Sequence, residues 1–167
     1  YLLPYDDRGL EALARLLASG FKVRSAREPF AIEGQAYERG TLLLRGNENP
    51  DTLRESLQKT AAAFGITVRA VGTALSTTGP DLGGNDFPLL RAPKIALVGG
   101  QDVNTTSFGA LWHLFDQQLK MQTTLLPPAG ILSSDLRKYN VIVFPSVGDS
   151  PGIHRILDKA GSKRLLE

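Results

Sequence analysis

The chain has 167 residues and a mass of 18.0 kDa, room for one generous domain or two small ones. At 42% hydrophobic and 22% charged it has ordinary globular composition, which excludes a disordered, collagen-like or coiled-coil chain. Nineteen basic against seventeen acidic side chains leave a net charge of +2, too small a bias for a nucleic-acid surface. Cysteine does not occur, which removes disulfides, thiolate metal sites and a cysteine nucleophile together.

No apolar run reaches the roughly eighteen residues of a membrane helix, and no signal-peptide pattern is present. The chain opens on Tyr1 and its single methionine is Met121, so it reads as a piece of a longer protein.

Asp6 and Asp7 precede the apolar stripe Leu10, Leu13, Ala14 and Leu17, and Gly20 follows it. This predicts a helix of about three turns with an acidic cap. Phe21 to Arg24 alternates as a half-buried strand does, and Phe30–Ile32 and Gln35–Tyr37 flank Glu33-Gly34 as a small hairpin. Thr41 to Leu44 has the apolar continuity of a central strand. Asn49 as a cap and Pro50 at the first helical position then predict a second helix, with Leu53, Leu57, Ala61 and Phe64 inward and Gly65 at its end. Ile66 to Val71 reads as the closing strand. Two strand-led units in this order predict a split βαβ, ferredoxin-like α+β domain over residues 1–75.

Residues 76–93, rich in glycine, proline, threonine and asparagine, are expected to be a linker. From 94 to 167 the pattern becomes alternating β and α. Ile95–Val98 is a buried strand ending in Gly99-Gly100, and a helix from about Thr106 carries Phe108, Leu111, Trp112, Phe115 and Leu119 on its inward face. A strand over Gln122–Leu126, a short helix over Ser134–Lys138 and a strand over Val141–Phe144, buried on both faces, complete the pattern. Pro151-Gly152 opens a last helix, and its charges, with those of the tail, read as a solvated face. This is a parallel sheet with right-handed crossovers, and its ligand crevice lies at the strand carboxyl ends. Gly99, Gly100, Ser146 and Asp149 are the residues that reading places at the crevice.

The remaining polar groups carry no recognisable chemistry. His113 lies three before Asp116, which offers at most two ligands where a zinc site needs a third, so no metal site is expected. His154 reads as an exposed tail residue. Ser107, His113 and Asp116 ride one helix and cannot converge as a triad. Asn104 to Ser107 could hold an anion on helix N–H groups, but capping by Asn104 or Thr105 explains the same residues. Trp112 is expected in a core or between domains.

Three segments nevertheless have a familiar look: Lys94 to Gly100, Thr106 to Asp116 with its Ser-Phe-Gly-x-x-Trp-His run, and Tyr139 to Pro145. They resemble the C-terminal region of large bacterial M14-family zinc carboxypeptidases, where a module similar to class I glutamine amidotransferase domains follows the peptidase. The opening Tyr1 to Tyr5, Glu28-Pro29-Phe30 and Arg39 to Leu42 resemble the stretch joining the two. The resemblance implies a partial flavodoxin-like, amidotransferase-like sheet, truncated before a later nucleophile strand, and a secreted or periplasmic location. It implies zinc in the parent's upstream domain and none here, because neither His113 nor His154 begins a His-x-x-Glu.

The expectation is therefore a noncatalytic accessory portion of a zinc metallocarboxypeptidase-like hydrolase, with the parent's own peptidase domain as partner. Neither nucleic acid nor membrane is expected as a partner, and self-association through an exposed sheet edge is open. Two alternatives stand beside it: a small-molecule or anion-binding α/β module using the Gly99-Gly100 crevice, and a truncated amidotransferase-like domain.

Overall fold

A computed structural model of the chain describes residues 1–101 and 103–146 together with Asp158, Ser162, Lys163 and Leu165. The helix expected from Pro151, with His154, lies outside the described residues. The chain divides into two compact units, Tyr1–Ala92 and Pro93–Glu167, and both mix helices with small sheets. No helix among the described residues is long and apolar enough to cross a membrane.

In the first unit, β1 (Leu2–Leu3), β5 (Leu42–Leu43) and β2 (Arg24–Ser25) form an antiparallel sheet with β5 in the middle. The consecutive leucines are explained by burial on both faces. Leu3, Leu42 and Leu44 point into one core with α1 (Asp7–Ala18) and α2 (Leu53–Phe64), while Leu2 and Leu43 point into a second. Single antiparallel bridges extend the sheet at both sides, Leu2 to Arg69 and Arg24 to Leu89. The expected strand over Ile66–Val71 is reduced to that one bridge at Arg69.

α1 begins as its sequence predicts, with the Asp6 side chain accepting from Gly9 N at 2.7 Å. Its inward face is rotated from the expected one. Ala12, Leu13 and Leu16 are buried and Leu10 is exposed, because Gly9 is tucked against the Pro4 carbonyl and fixes how the helix rolls. α2 begins later than expected. Thr52 stands at its cap, and Asn49 is spent elsewhere, accepting from Lys22 N at 2.8 Å and donating to Lys22 O and Arg45 O. Gly65 closes α2 in the left-handed conformation. β3 (Phe30–Ile32) and β4 (Gln35–Tyr37) form the expected hairpin, with positive φ at both Glu33 and Gly34.

Residues 76–92, expected as linker, are part of this unit. Leu82 and Phe87 are buried with Leu2, Ala26, Phe30, Ile32 and Leu43, and Thr78 bridges Ala31. An ion-pair cluster fastens the same stretch. Glu48, at the end of a 3₁₀ turn over Gly46–Glu48, takes Arg24 on both oxygens at 2.9 Å and Arg45 at 3.1 Å. Arg24 also donates to Phe87 O at 2.8 Å, and Arg45 to Leu82 O.

The Arg24 hydrogen bond, aided by Arg45, holds the Glu48 carboxyl below the usual carboxylate range. Because the folded-state value is depressed, its stabilisation is complete above the unfolded value of about 4.3 and lost as pH falls through the folded one. Glu48→Gln is expected to cost about 1–2 kcal/mol at pH 7 and to flatten the acid limb of the stability profile, read from urea unfolding between pH 3 and 7. Tyr37 stacks on Phe30 at 5.1 Å, and its buried hydroxyl has no hydrogen-bond partner among the described residues. Tyr37→Phe is accordingly expected to raise stability by about 1 kcal/mol in the same assay.

The second unit is a parallel sheet in the order β7 (Thr123–Leu126), β6 (Ile95–Val98), β8 (Val141–Val143). β6 is central and buried throughout. β8 stands at an edge of this sheet and leaves Val141 39% exposed, so it is not buried on both faces as its composition suggests. Ala96, Val98, Leu126 and Ile131 form the core on one side. The helix expected over Ser134–Lys138 is only a 3₁₀ turn, Leu136–Lys138, whose Asp135 cap accepts from Arg137 N, and a separate short helix, α4 (Gly130–Ser133), precedes it.

α3 (Thr105–Trp112) runs on into a π-helical segment, His113–Gln118, closed by Leu119 N donating to Leu114 O. No residue of α3 is buried, and Trp112 is 44% exposed rather than in a core. The i to i+5 bonding widens the turn, so side chains beyond Trp112 do not follow the 3.6-residue spacing on which the expected inward face rests.

Candidate functional site

The crevice expected at the strand carboxyl ends is built by β6, the segment after β8 and the start of α3. Gly99 N donates to Leu126 O at 3.1 Å, tying the ends of β6 and β7 together. A Cβ on Gly99 would lie 2.5 Å from the Phe108 ring and 2.6 Å from Leu125 Cδ1, so glycine here lets α3 lie close against the sheet. Gly100 has φ 126°, in the left-handed region, and turns the chain away from the strand.

Ser146 is brought onto the N-terminus of α3. Its N–H donates to Ser107 Oγ at 3.0 Å and its carbonyl accepts from Asn104 N at 2.9 Å. Asn104 is the cap: its Oδ1 accepts from Ser107 N at 2.9 Å, and its carbonyl from Phe108 N. Of the two capping residues offered by the sequence, the structure thus selects Asn104. Four hydrogen bonds link Asn104, Ser107, Phe108 and Ser146, and they take up the helix-start N–H groups of Asn104 and Ser107. Gly99 and Gly100 thus stand at the end of β6 and Ser146 at the start of α3, while Asp149 lies outside the described residues.

His113 and Asp116 fall in the π-helical segment, where Asp116 accepts a hydrogen bond from Gln117. Among the described residues, no three His, Asp or Glu side chains are grouped so as to hold a metal ion. Phe108 and Leu125 both approach Gly99, and Leu125 is 59% exposed beside the sheet.

Sequence reasoning missed a second concavity, in the first unit. A cleft of about 510 Å³ lies between the end of β1, the β4 side of the hairpin and the extended segment at Thr67 and Arg69. It draws on three stretches far apart in sequence, and neither periodicity nor a local motif marks it. No family model, no curated protein and no solved structure matches this chain.

Proposed function

We propose that residues 1–167 serve as a noncatalytic accessory portion of a zinc metallocarboxypeptidase-like hydrolase. The zinc and its general base would belong to the upstream peptidase domain of a secreted or periplasmic parent. The observation that carries this reading is the closed hydrogen-bond set at the strand ends, where Asn104, Ser107 and Ser146 hold one another in place. Residues so committed position a helix on a sheet.

The strand orders support the finer fold reading. In the first unit the antiparallel sequence Arg69, β1, β5, β2 is that of a split βαβ, ferredoxin-like layer, and the parallel order β7, β6, β8 suits the start of a flavodoxin-like, amidotransferase-like sheet. The partner is the peptidase domain, and exposed Trp112 and Leu125 supply apolar area for it to cover.

The test is Ser107→Ala in a protein carrying this chain beside its peptidase domain. Lower thermal stability with unchanged peptide turnover per folded molecule is expected. A tenfold or greater fall in turnover by a fully folded variant would overturn the noncatalytic assignment.

A further inference from the structure

The lining of the cleft in the first unit combines aromatic residues with residues of both charges. Tyr37 is one wall, its ring fixed by stacking on Phe30 with 14° between the planes. Tyr5 is another, lying against Gly40, where a Cβ would come within 3.2 Å of its ring. Pro4 adds apolar surface to the lining. An aromatic wall held as Tyr37 is loses little freedom when a guest arrives, while Tyr5 is 54% exposed.

The lining also includes two arginines, Arg39 and Arg69, and two acidic residues, Asp6 and Glu38. Arg69 is anchored, its main chain bridged to Leu2 and its Nη2 donating to Glu33 O at 3.0 Å. Asp6 is anchored by Gly9 N. Arg39 is exposed and makes no hydrogen bond or ion pair among the described residues, so its fork of donors is unspent. The volume falls within the ~300–1,000 Å³ of small-molecule sites.

Two cations and two anions about an apolar floor match a ligand that carries both signs itself. A dianion such as a phosphate would meet Asp6 and Glu38 as like charges, and a neutral apolar ligand would leave the unspent donors of Arg39 unanswered. We propose that this cleft binds a small zwitterion with an apolar body, an apolar α-amino acid or short peptide. Its carboxylate faces Arg39 and Arg69, its ammonium faces Asp6 and Glu38, and its side chain lies between Tyr5 and Tyr37. The inference does not depend on the chain accompanying a peptidase.

The experiment is titration of the full 167-residue chain with L-phenylalanine, followed by calorimetry and by amide chemical shifts. Saturable binding with shifts at residues 35–41 and 67–69 is expected. Losing one charge-assisted contact is worth about tenfold in affinity, so N-acetyl-phenylalanine, phenylalaninamide and the Arg39→Gln variant should each weaken binding by about that factor. Arg39→Gln should unfold at the same temperature as the parent chain, since Arg39 holds nothing in the free protein. The dipeptide Phe-Leu separates the two sources: tighter binding than phenylalanine identifies a peptide site, weaker binding a free amino-acid site. The proposal is overturned if phenylalanine does not bind at millimolar concentration, if the blocked derivatives or phenyl phosphate bind equally well, or if Arg39→Gln leaves affinity unchanged.

Discussion

Phe87→Ala is expected to remove about 3–5 kcal/mol from the first unit, a large share of the roughly 5–15 kcal/mol that an ordinary small domain has. Phe87 is fully buried, meets Phe30 edge-on at 5.3 Å and shares a core with Leu2, Ala26, Ile32, Leu43 and Leu82. Its carbonyl takes a hydrogen bond from Arg24, so a collapse of the site would also disturb the Glu48 cluster. Leu75→Ala is the matched control: Leu75 is 70% exposed, and its truncation should change stability by less than about 0.5 kcal/mol. Urea unfolding by circular dichroism measures both, and hydrogen exchange should localise the Phe87→Ala loss to β2, β5 and the β3–β4 hairpin. A cost below about 1 kcal/mol would mean that residues 76–92 do not complete this core.

Gly9→Ala is expected to destabilise by about 2–3 kcal/mol, opposite in sign to the usual effect of alanine in a helix. A Cβ on Gly9 would sit 2.2 Å from the Pro4 carbonyl oxygen and 3.1 Å from its carbon. Both atoms are backbone, and Pro4 lies between β1 and the Asp6 cap, so it cannot retreat without shifting the β1 pairing with β5 or breaking the cap. Gly109→Ala supplies the contrast. Gly109 is inside α3 with nothing within 4 Å of an added Cβ, and alanine there should stabilise by up to about 1 kcal/mol. Opposite shifts in melting temperature for the two variants are the expected result; a stabilising Gly9→Ala would show that the Pro4 contact yields easily.

The parts of the fold legible in the sequence are those set by local chemistry. The Asp6 cap, the Glu33-Gly34 turn, the Gly65 helix end and the buried strand Ile95–Val98 each depend on a few neighbouring residues, and each stands where expected. The misread parts depend on distant contacts. Nothing near Asn49 announces that it will bind Lys22 and Arg45 instead of capping α2. Leu82 and Phe87 sit among turn-forming residues that read as linker, and only the hydrophobic space between β3 and β5 makes them core. Trp112 was placed inward by a 3.6-residue period, but no residue of α3 is buried, so that helix lays no fully covered face on the sheet, which local periodicity cannot announce.

The candidate crevice was legible in position but not in character. A glycine pair after a buried strand marks Gly99 and Gly100, yet whether the adjacent polar residues stay available depends on Ser146, thirty-nine positions beyond Ser107. The cleft at Arg39 was invisible for the same reason, since Tyr5, Tyr37 and Arg69 meet only after the sheet forms.

The accessory-domain proposal is tested most directly by C-terminal amino-acid release. The longer protein and the isolated 167-residue chain would be assayed side by side on the same peptides, with and without a zinc chelator. Chelator-sensitive release by the longer protein, and none by the isolated chain, is the predicted result. Release by the isolated chain, or a longer protein that shows no chelator-sensitive release, would contradict it.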